Sequence, residues 1–228
     1  MSYRSINIMA RKKIITTKEF DNNQLTEKEH FFYKNYLDRG IEMIDSASKK
    51  HSKVMQTRID FHYPQDMRSD GTNKDFSNAL YGLVKELRRE GYDPQYLGRR
   101  EQKNQANPHY HLNILTNARD FESGYKIFEK AEHHWGHSLG MTQQEVHSKG
   151  LVHYCDEGID GERRVNGNIL ARGREDYQQK KDQMIQQMSY LTKYDPNDTT
   201  PSSTRKLFAS QNKEKKATVP KASSRKSK

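Results

Sequence analysis

Between Asn107 and Leu115 the chain reads "NPHYHLNIL", in which polar and apolar residues alternate after a proline. Strand side chains alternate faces, so His109, His111 and Asn113 share one face while Tyr110, Leu112 and Ile114 share the other. This pattern constrains the fold strongly. The apolar face must pack on a layer, and the face of two imidazoles and an amide tolerates burial only with partners. Neutral imidazole is a good metal ligand. In a chain with ten histidines, however, a bare His-x-His pair fits a plain strand as well as a metal site.

The flanking segments extend the pattern. In "VMQTRIDFHYP", Met55, Thr57, Ile59, Phe61 and Tyr63 alternate with Val54, Gln56, Arg58, Asp60 and His62, and Pro64 ends the strand. An amphipathic helix is predicted over 74–90, with Gly91 as its stop. "YDPQYLGRREQKNQANPHYHLNILTN" then reads as strand, polar loop and strand, an antiparallel hairpin. A second helix over 121–139 is expected to turn Tyr125, Phe128, Trp135 and Leu139 inward, and "GLVHYC" is a further short strand. Residues 156–174 are Gly-rich and polar and fit no element, and a last helix is predicted over 175–194.

Ahead of these, "LTEKEHFFYKNYLDRGIEMIDSA" has helical periodicity through Leu25, Phe32, Leu37, Ile41 and Ile44, with Thr26 and Glu29 in capping-box spacing. The expected architecture is α+β: an antiparallel central sheet containing the His-x-His strand, flanked by helices. The expected organisation is a basic helical N-terminal extension over 1–53, the main domain over 54–195, and a basic disordered tail over 196–228.

Only 32% of the 228 residues are hydrophobic, and Cys155 is the single cysteine, which excludes an intrachain disulfide and a multi-thiolate zinc site. No signal-peptide core and no apolar run of ~18 residues is present, so the expected setting is cytoplasmic, with no membrane partner. The formal charge is +10, divided as +4 over 1–53, −1 over 54–195 and +7 over 196–228. Basic ends attract a phosphate backbone without reading sequence, and they also suit solvated tails.

Chemistry enters with Glu101. If the hairpin forms, Glu101 just before the loop faces His109 just after it, and two imidazoles with one carboxylate leave open positions on a divalent ion. On the last helix, "MSYLTKYDP" places Tyr190, Lys193 and Tyr194 within one ~100° sector, away from Met184, Met188 and Leu191. A phenol attacks phosphate poorly unless a cation lies close, and Lys193 would supply one. Arg58, Asp60 and His62, on the polar face of the first strand, are expected to line the site and contact substrate. His133, His134, His137, His147 and His153 are read as surface or packing residues.

Together, "MQTRIDFHYP", the acidic residue in "REQKNQANPHYHL", the His-hydrophobic-His strand and "YLTKYD" resemble the HUH endonucleases that initiate rolling-circle replication. With "HHWGHSLG", the pattern over 54–195 is most similar to the gene-two-type replication proteins of filamentous phages (inoviruses). The resemblance implies an RRM/ferredoxin-like sheet and a metal-dependent, site-specific single-strand DNA endonuclease and strand transferase. His109, His111 and Glu101 would hold Mg²⁺ or Mn²⁺, and Tyr190 would form a 5′-phosphotyrosine, leaving a free 3′-OH. Lys193 would stabilise charge, Asp195 would orient that lysine, and Tyr194 would be either a second nucleophile in the manner of two-tyrosine initiators or a packing residue at the helix end beside Pro196.

The implied substrate is single-stranded or locally melted origin DNA of a phage or plasmid in a bacterial host cell. The absence of a "GxxxxGK[ST]" P-loop fits reliance on a separate host helicase and polymerase. The competing readings are a mobilisation relaxase or transposase of the same superfamily and a non-catalytic DNA-binding regulator. A zinc hydrolase would leave Tyr190 and Lys193 without a role.

Overall fold

The computed structural model describes residues 14–17, 19–20, 23–24, 30–103, 105–119, 123–156 and 166–210. Its strands are β1 (Ile14–Thr17), β2 (Glu19–Phe20), β3 (Asn23–Gln24), β4 (His30–Tyr33), β5 (Lys53–Phe61), β6 (Gln95–Glu101), β7 (His109–Asn117), β8 (Val152–His153), β9 (Asn168–Ala171) and β10 (Leu207–Ala209). Its helices are α1 (Lys34–Lys50), α2 (Lys74–Arg89), α3 (Tyr125–Leu139), α4 (Gln143–Ser148) and α5 (Tyr177–Tyr190).

The main sheet runs β10-β6-β7-β5, with β8 and β9 sharing the remaining edge of β5, and every pairing in it is antiparallel. The predicted alternation sets its two faces. Met55, Ile59 and Phe61 of β5 and Tyr110, Leu112 and Ile114 of β7 form one core with α2 and α3. Val54, Leu97 and Leu115 form the other with α1 and α5. The fold is therefore α+β, with helices on both faces of an antiparallel sheet. In the first core the Phe76 and Tyr110 rings stack 4.2 Å apart, and Trp135 donates Nε1–H to the His62 carbonyl at 2.8 Å. In the second, α1 approaches α5 closely at Gly40, where an added Cβ would stand 2.6 Å from Met188 Cγ.

Several expectations change. The N-terminal helix begins at Lys34, because His30–Tyr33 form β4 and pair with β1. Aromatic side chains suit a strand surface, and Phe32 is fully buried from it. The Thr26–Glu29 capping box lies outside the described residues. Nor is this region an extension: Leu37, Ile41 and Ile44 of α1 belong to the second core.

At the other end, the expected tail contributes β10, which covers the β6 edge and places Phe208 5.2 Å from Phe76. An uncovered edge leaves backbone groups unpaired, and the short "LFA" within a Ser- and Lys-rich stretch is enough to satisfy it. Residues 211–228 lie outside the described residues. The unassigned stretch supplies β9 on β5. In α3 the inward side is Ile127, Phe128, Ala131 and Trp135, while Tyr125 is exposed.

α5 ends at Tyr190, four residues earlier than its periodicity suggests. The Leu191 and Thr192 amides turn back to Met188 and Ser189, and the chain then becomes extended. Tyr33 N–H donates to the Thr192 carbonyl at 2.8 Å and Tyr194 N–H to the Phe31 carbonyl at 2.6 Å, so β4 takes over the backbone pairing that a further helical turn would supply.

Candidate active site

Strand register assembles the site. Glu101 stands opposite His109 on β6 and β7, and His111 lies between Arg99 on β6 and Asp60 on β5. All of these side chains point to the α1–α5 side. His109 Nε2 is 3.0 Å and His111 Nε2 is 3.3 Å from Glu101 Oε2. One donor atom from each of the three residues lies within 4.8 Å of the others.

Burial alone would raise the Glu101 carboxyl, but hydrogen bonds from His109 and His111 outweigh it and hold the group well below the usual carboxylate range. For buried His111, desolvation lowers the pKa and contacts with Asp60 and Glu101 raise it, with a net rise. Surroundings that favour a proton on this imidazole equally favour a divalent cation in its place. The donor set fits a metal with open positions.

Asp60 backs this triad. Its Oδ1 is 2.8 Å from His111 Nδ1, although that nitrogen is poorly aligned for a regular hydrogen bond. Arg58 reaches the same carboxylate through Nη2 at 3.3 Å. Desolvation would raise the Asp60 carboxyl, yet the contacts with His111 and Arg58 depress it strongly. Asn166 fixes Arg58, accepting from its N–H at 2.9 Å and donating to its carbonyl at 2.6 Å. Cys155 lies beside this group, and burial followed by the Asp60 charge pushes its thiol up to about 12, so it stays protonated.

Tyr190 faces the site from α5. Its ring meets His111 edge-on at 6.0 Å, with Arg58 Cζ and Lys193 Nζ each 4.3 Å from the ring centroid. Two buried amides dock this helix: Gln56 donates to the Met184 carbonyl at 3.0 Å and Asn113 to the Gln187 carbonyl at 3.2 Å. These anchors hold the C-terminal half of α5 on the sheet, and its last residue, Tyr190, meets His111 there.

The remaining sequence-derived residues separate. Lys193 stays at the site, although beyond the helix. Tyr194 packs edge-to-face on Tyr33 at 5.6 Å, its amide held by β4. The geometry therefore removes the one-turn helical relation between the two tyrosines. Asp195 accepts from Lys103 at 2.7 Å, a different lysine from the one it was expected to orient, and Lys103 is also 3.2 Å from Glu101 Oε1. Exposed His62 stacks on His109 at 5.6 Å, on the rim. His134 and His147 pair with Glu86 and Glu132 at 2.7 and 2.8 Å.

Sequence reasoning missed Arg99, Lys103 and Asn166, and it placed Asn113 on the histidine face without its role in docking α5. Buried Arg99 donates to the Lys193 carbonyl and lies 3.7 Å from Glu101 Oε1. Arg99's signal was its position opposite His111 in the hairpin. A groove of about 1680 Å³ between α2 and α3 lies on the opposite face of the sheet, away from Glu101, His109 and His111.

Fold and site together define a helix-flanked antiparallel-sheet domain carrying a two-histidine, one-carboxylate centre beneath a tyrosine. The chain belongs to the YagK/YfjJ C-terminal domain family, whose model matches residues 15–208. No curated protein matches it. Among solved structures, it is similar to the N-terminal nuclease domain of non-structural protein-1 of minute virus of mice, described with Zn²⁺ in its active-site pocket and with DNA recognition at the replication origin. The two share 10% identity over 60% of this chain and 79% of that one, with a TM-score of 0.34. The functional reading rests on this chain's own residues.

Proposed function

We propose that this domain is a metal-dependent, site-specific single-strand DNA endonuclease and strand transferase. The observation that carries the reading is the convergence of the Glu101, His109 and His111 donors within 4.8 Å, with the Tyr190 ring 6.0 Å from His111. A hydrolase of small esters would use the three ligands but leave the tyrosine between two cations unexplained.

The Tyr190 oxygen attacks the scissile phosphorus. A phosphorus–phenol bond forms, the bond to the 3′ oxygen breaks, the phenolic proton leaves to solvent and the 3′ oxygen takes one up. The products are a 5′-phosphotyrosine and a free 3′-OH. One phosphoester replaces another, so the step reverses and the same site can rejoin a strand. Arg58 and Lys193 compensate charge on the phenolic oxygen as its proton leaves. Asp60, 2.8 Å from Nδ1 of His111, supports the ring orientation in which Nε2 faces Glu101. Mg²⁺ or Mn²⁺ held by Glu101, His109 and His111 would supply Lewis-acid polarisation of the phosphate.

The biological role we assign is initiation of rolling-circle replication of phage or plasmid-like DNA at an unpaired origin strand, with unwinding and synthesis left to host helicase and polymerase. The test begins with a randomised single-stranded 40-nucleotide pool, Mn²⁺ and full-length protein, with denaturation-resistant adducts recovered and sequenced. Adducts on a defined sequence are expected. A pool that yields none, with Mn²⁺ or with Mg²⁺, would overturn the nuclease assignment.

A further inference from the structure

We propose that Lys103 is a further catalytic residue, contacting a non-bridging oxygen of the scissile phosphate, and that Asp195 positions it; this rests on the nuclease reading above.

Lys103 lies on the β6–β7 loop, two residues past Glu101. Its ammonium is 3.2 Å from Glu101 Oε1, whereas the two histidines gather at Oε2 of the same carboxylate. The lysine and the metal-type donor position therefore flank one carboxylate. From there to the far side of a phosphate is the span of a single O–P–O unit. A phosphate oxygen bound to a cation held by Glu101, His109 and His111 would turn another oxygen of the same phosphate toward the Lys103 side of that carboxylate.

The other cations are committed. Arg99 is buried and donates to the Lys193 carbonyl. Arg58 pairs with Asp60 and lies over the Tyr190 ring with Lys193. The Lys103 side chain is about half exposed, at 49%, so it can meet a polymer arriving from solvent. An ammonium has three donors. Asp195 takes one at 2.7 Å and Glu101 a second, leaving a third for substrate. Cation binding at Glu101 would compete for the second, so Asp195 keeps the lysine at the site once Glu101 is engaged. Asp195 lies five residues past the end of the nucleophile helix, and this ion pair ties the hairpin loop to the segment that follows that helix.

The experiment uses the full-length Tyr190→Phe protein in Mn²⁺ and the strand recovered from the pool, synthesised either with its natural diester or with a neutral methylphosphonate at the cleavage position. Binding is measured by fluorescence anisotropy. With Lys103 present, the charged strand is expected to bind roughly tenfold more tightly than the neutral one, a preference reduced in Lys103→Met and kept in Lys103→Arg. Asp195→Asn should reduce the preference when Lys103 is present and change nothing when added to Lys103→Met. Mn²⁺ affinity, read by electron paramagnetic resonance, should be unchanged or tighter in Lys103→Met.

An equal charge preference with and without Lys103, or a Mn²⁺ affinity that collapses in Lys103→Met, overturns the proposal. If the unaltered protein forms adducts while that coupling is absent, only the role of Lys103 falls. If it forms no adduct with any strand, the nuclease reading falls and takes this role with it.

Discussion

Asp60 Oδ1 and His111 Nδ1 lie 2.8 Å apart on neighbouring strands, in register by direct pairing of β5 with β7. Nδ1 of the imidazole is thereby turned toward Asp60 while Nε2 lies 3.3 Å from Glu101 Oε2. The contact also couples the metal-type centre to Arg58, and through Arg58 to the Tyr190 ring.

Asp60→Asn should therefore weaken Mn²⁺ binding by roughly 10–100-fold while the fold persists, since supporting carboxylates of metal-bound histidines contribute on that order. Isothermal titration with Mn²⁺, alongside circular dichroism, checks this. Affinity within about twofold of the parent would show that Asp60 serves Arg58 alone.

Removing the docking amides should separate position from ligation. Asn113 is fully buried and donates to the Gln187 carbonyl, one helical turn before Tyr190. Asn113→Ala is expected to cost about 1–3 kcal/mol in urea unfolding. It should slow adduct formation while leaving Mn²⁺ affinity in place, because none of the three ligands is touched. Loss of Mn²⁺ binding in this variant would contradict the separation.

How much of this was legible follows from where each constraint resides. His109, His111 and Glu101 come together through a local hairpin and a two-residue period, which the eleven residues from Glu101 to His111 encode. Asp60 joins them because β5 shares that period. The end of α5 was not legible. Its own residues keep helical spacing through Tyr194, and the competing hydrogen bonds come from Phe31 and Tyr33, more than 150 residues away. The pairing of Asp195 with Lys103 was hidden for the same reason: it joins a loop to a post-helical segment, and neither residue has a periodicity. β10 was masked by composition, since three residues suffice to cover an edge.

Acid stability offers a separate check on the segment beyond α5. Asp198 accepts from the Thr200 amide and hydroxyl at 3.0 and 2.7 Å and from Lys206 at 3.0 Å, closing the loop that leads into β10. Desolvation would raise its carboxyl, but these contacts lower it below the ordinary value. A depressed folded-state pKa contributes stability that is present above the unfolded value, about 3.9, and is lost as pH falls through the folded one. Asp198→Asn should thus lower the urea midpoint at pH 7, and the gap from the parent should narrow as pH drops below about 4. A gap that stays constant down to pH 3 would assign the loss to packing rather than charge.

The two tyrosines give the sharpest division. Tyr190 lies against His111 between Arg58 and Lys193, whereas the Tyr194 amide is fixed to Phe31 and its ring to Tyr33. For Tyr194 to share the helical face of Tyr190, α5 would need another turn. That turn would break the Tyr33–Thr192 and Tyr194–Phe31 backbone bonds, at about 1 kcal/mol each if water replaces them and more if they stay buried. Tyr190→Phe should abolish the denaturation-resistant adduct, and Tyr194→Phe should retain it within about threefold, a barrier change under ~1 kcal/mol. Adducts mapped by peptide mass spectrometry should carry DNA on residue 190. If Tyr190→Phe still forms adducts and these map to Tyr194, the extension of α5 must occur on DNA binding, and β4 would have to release residues 192–194 to allow it.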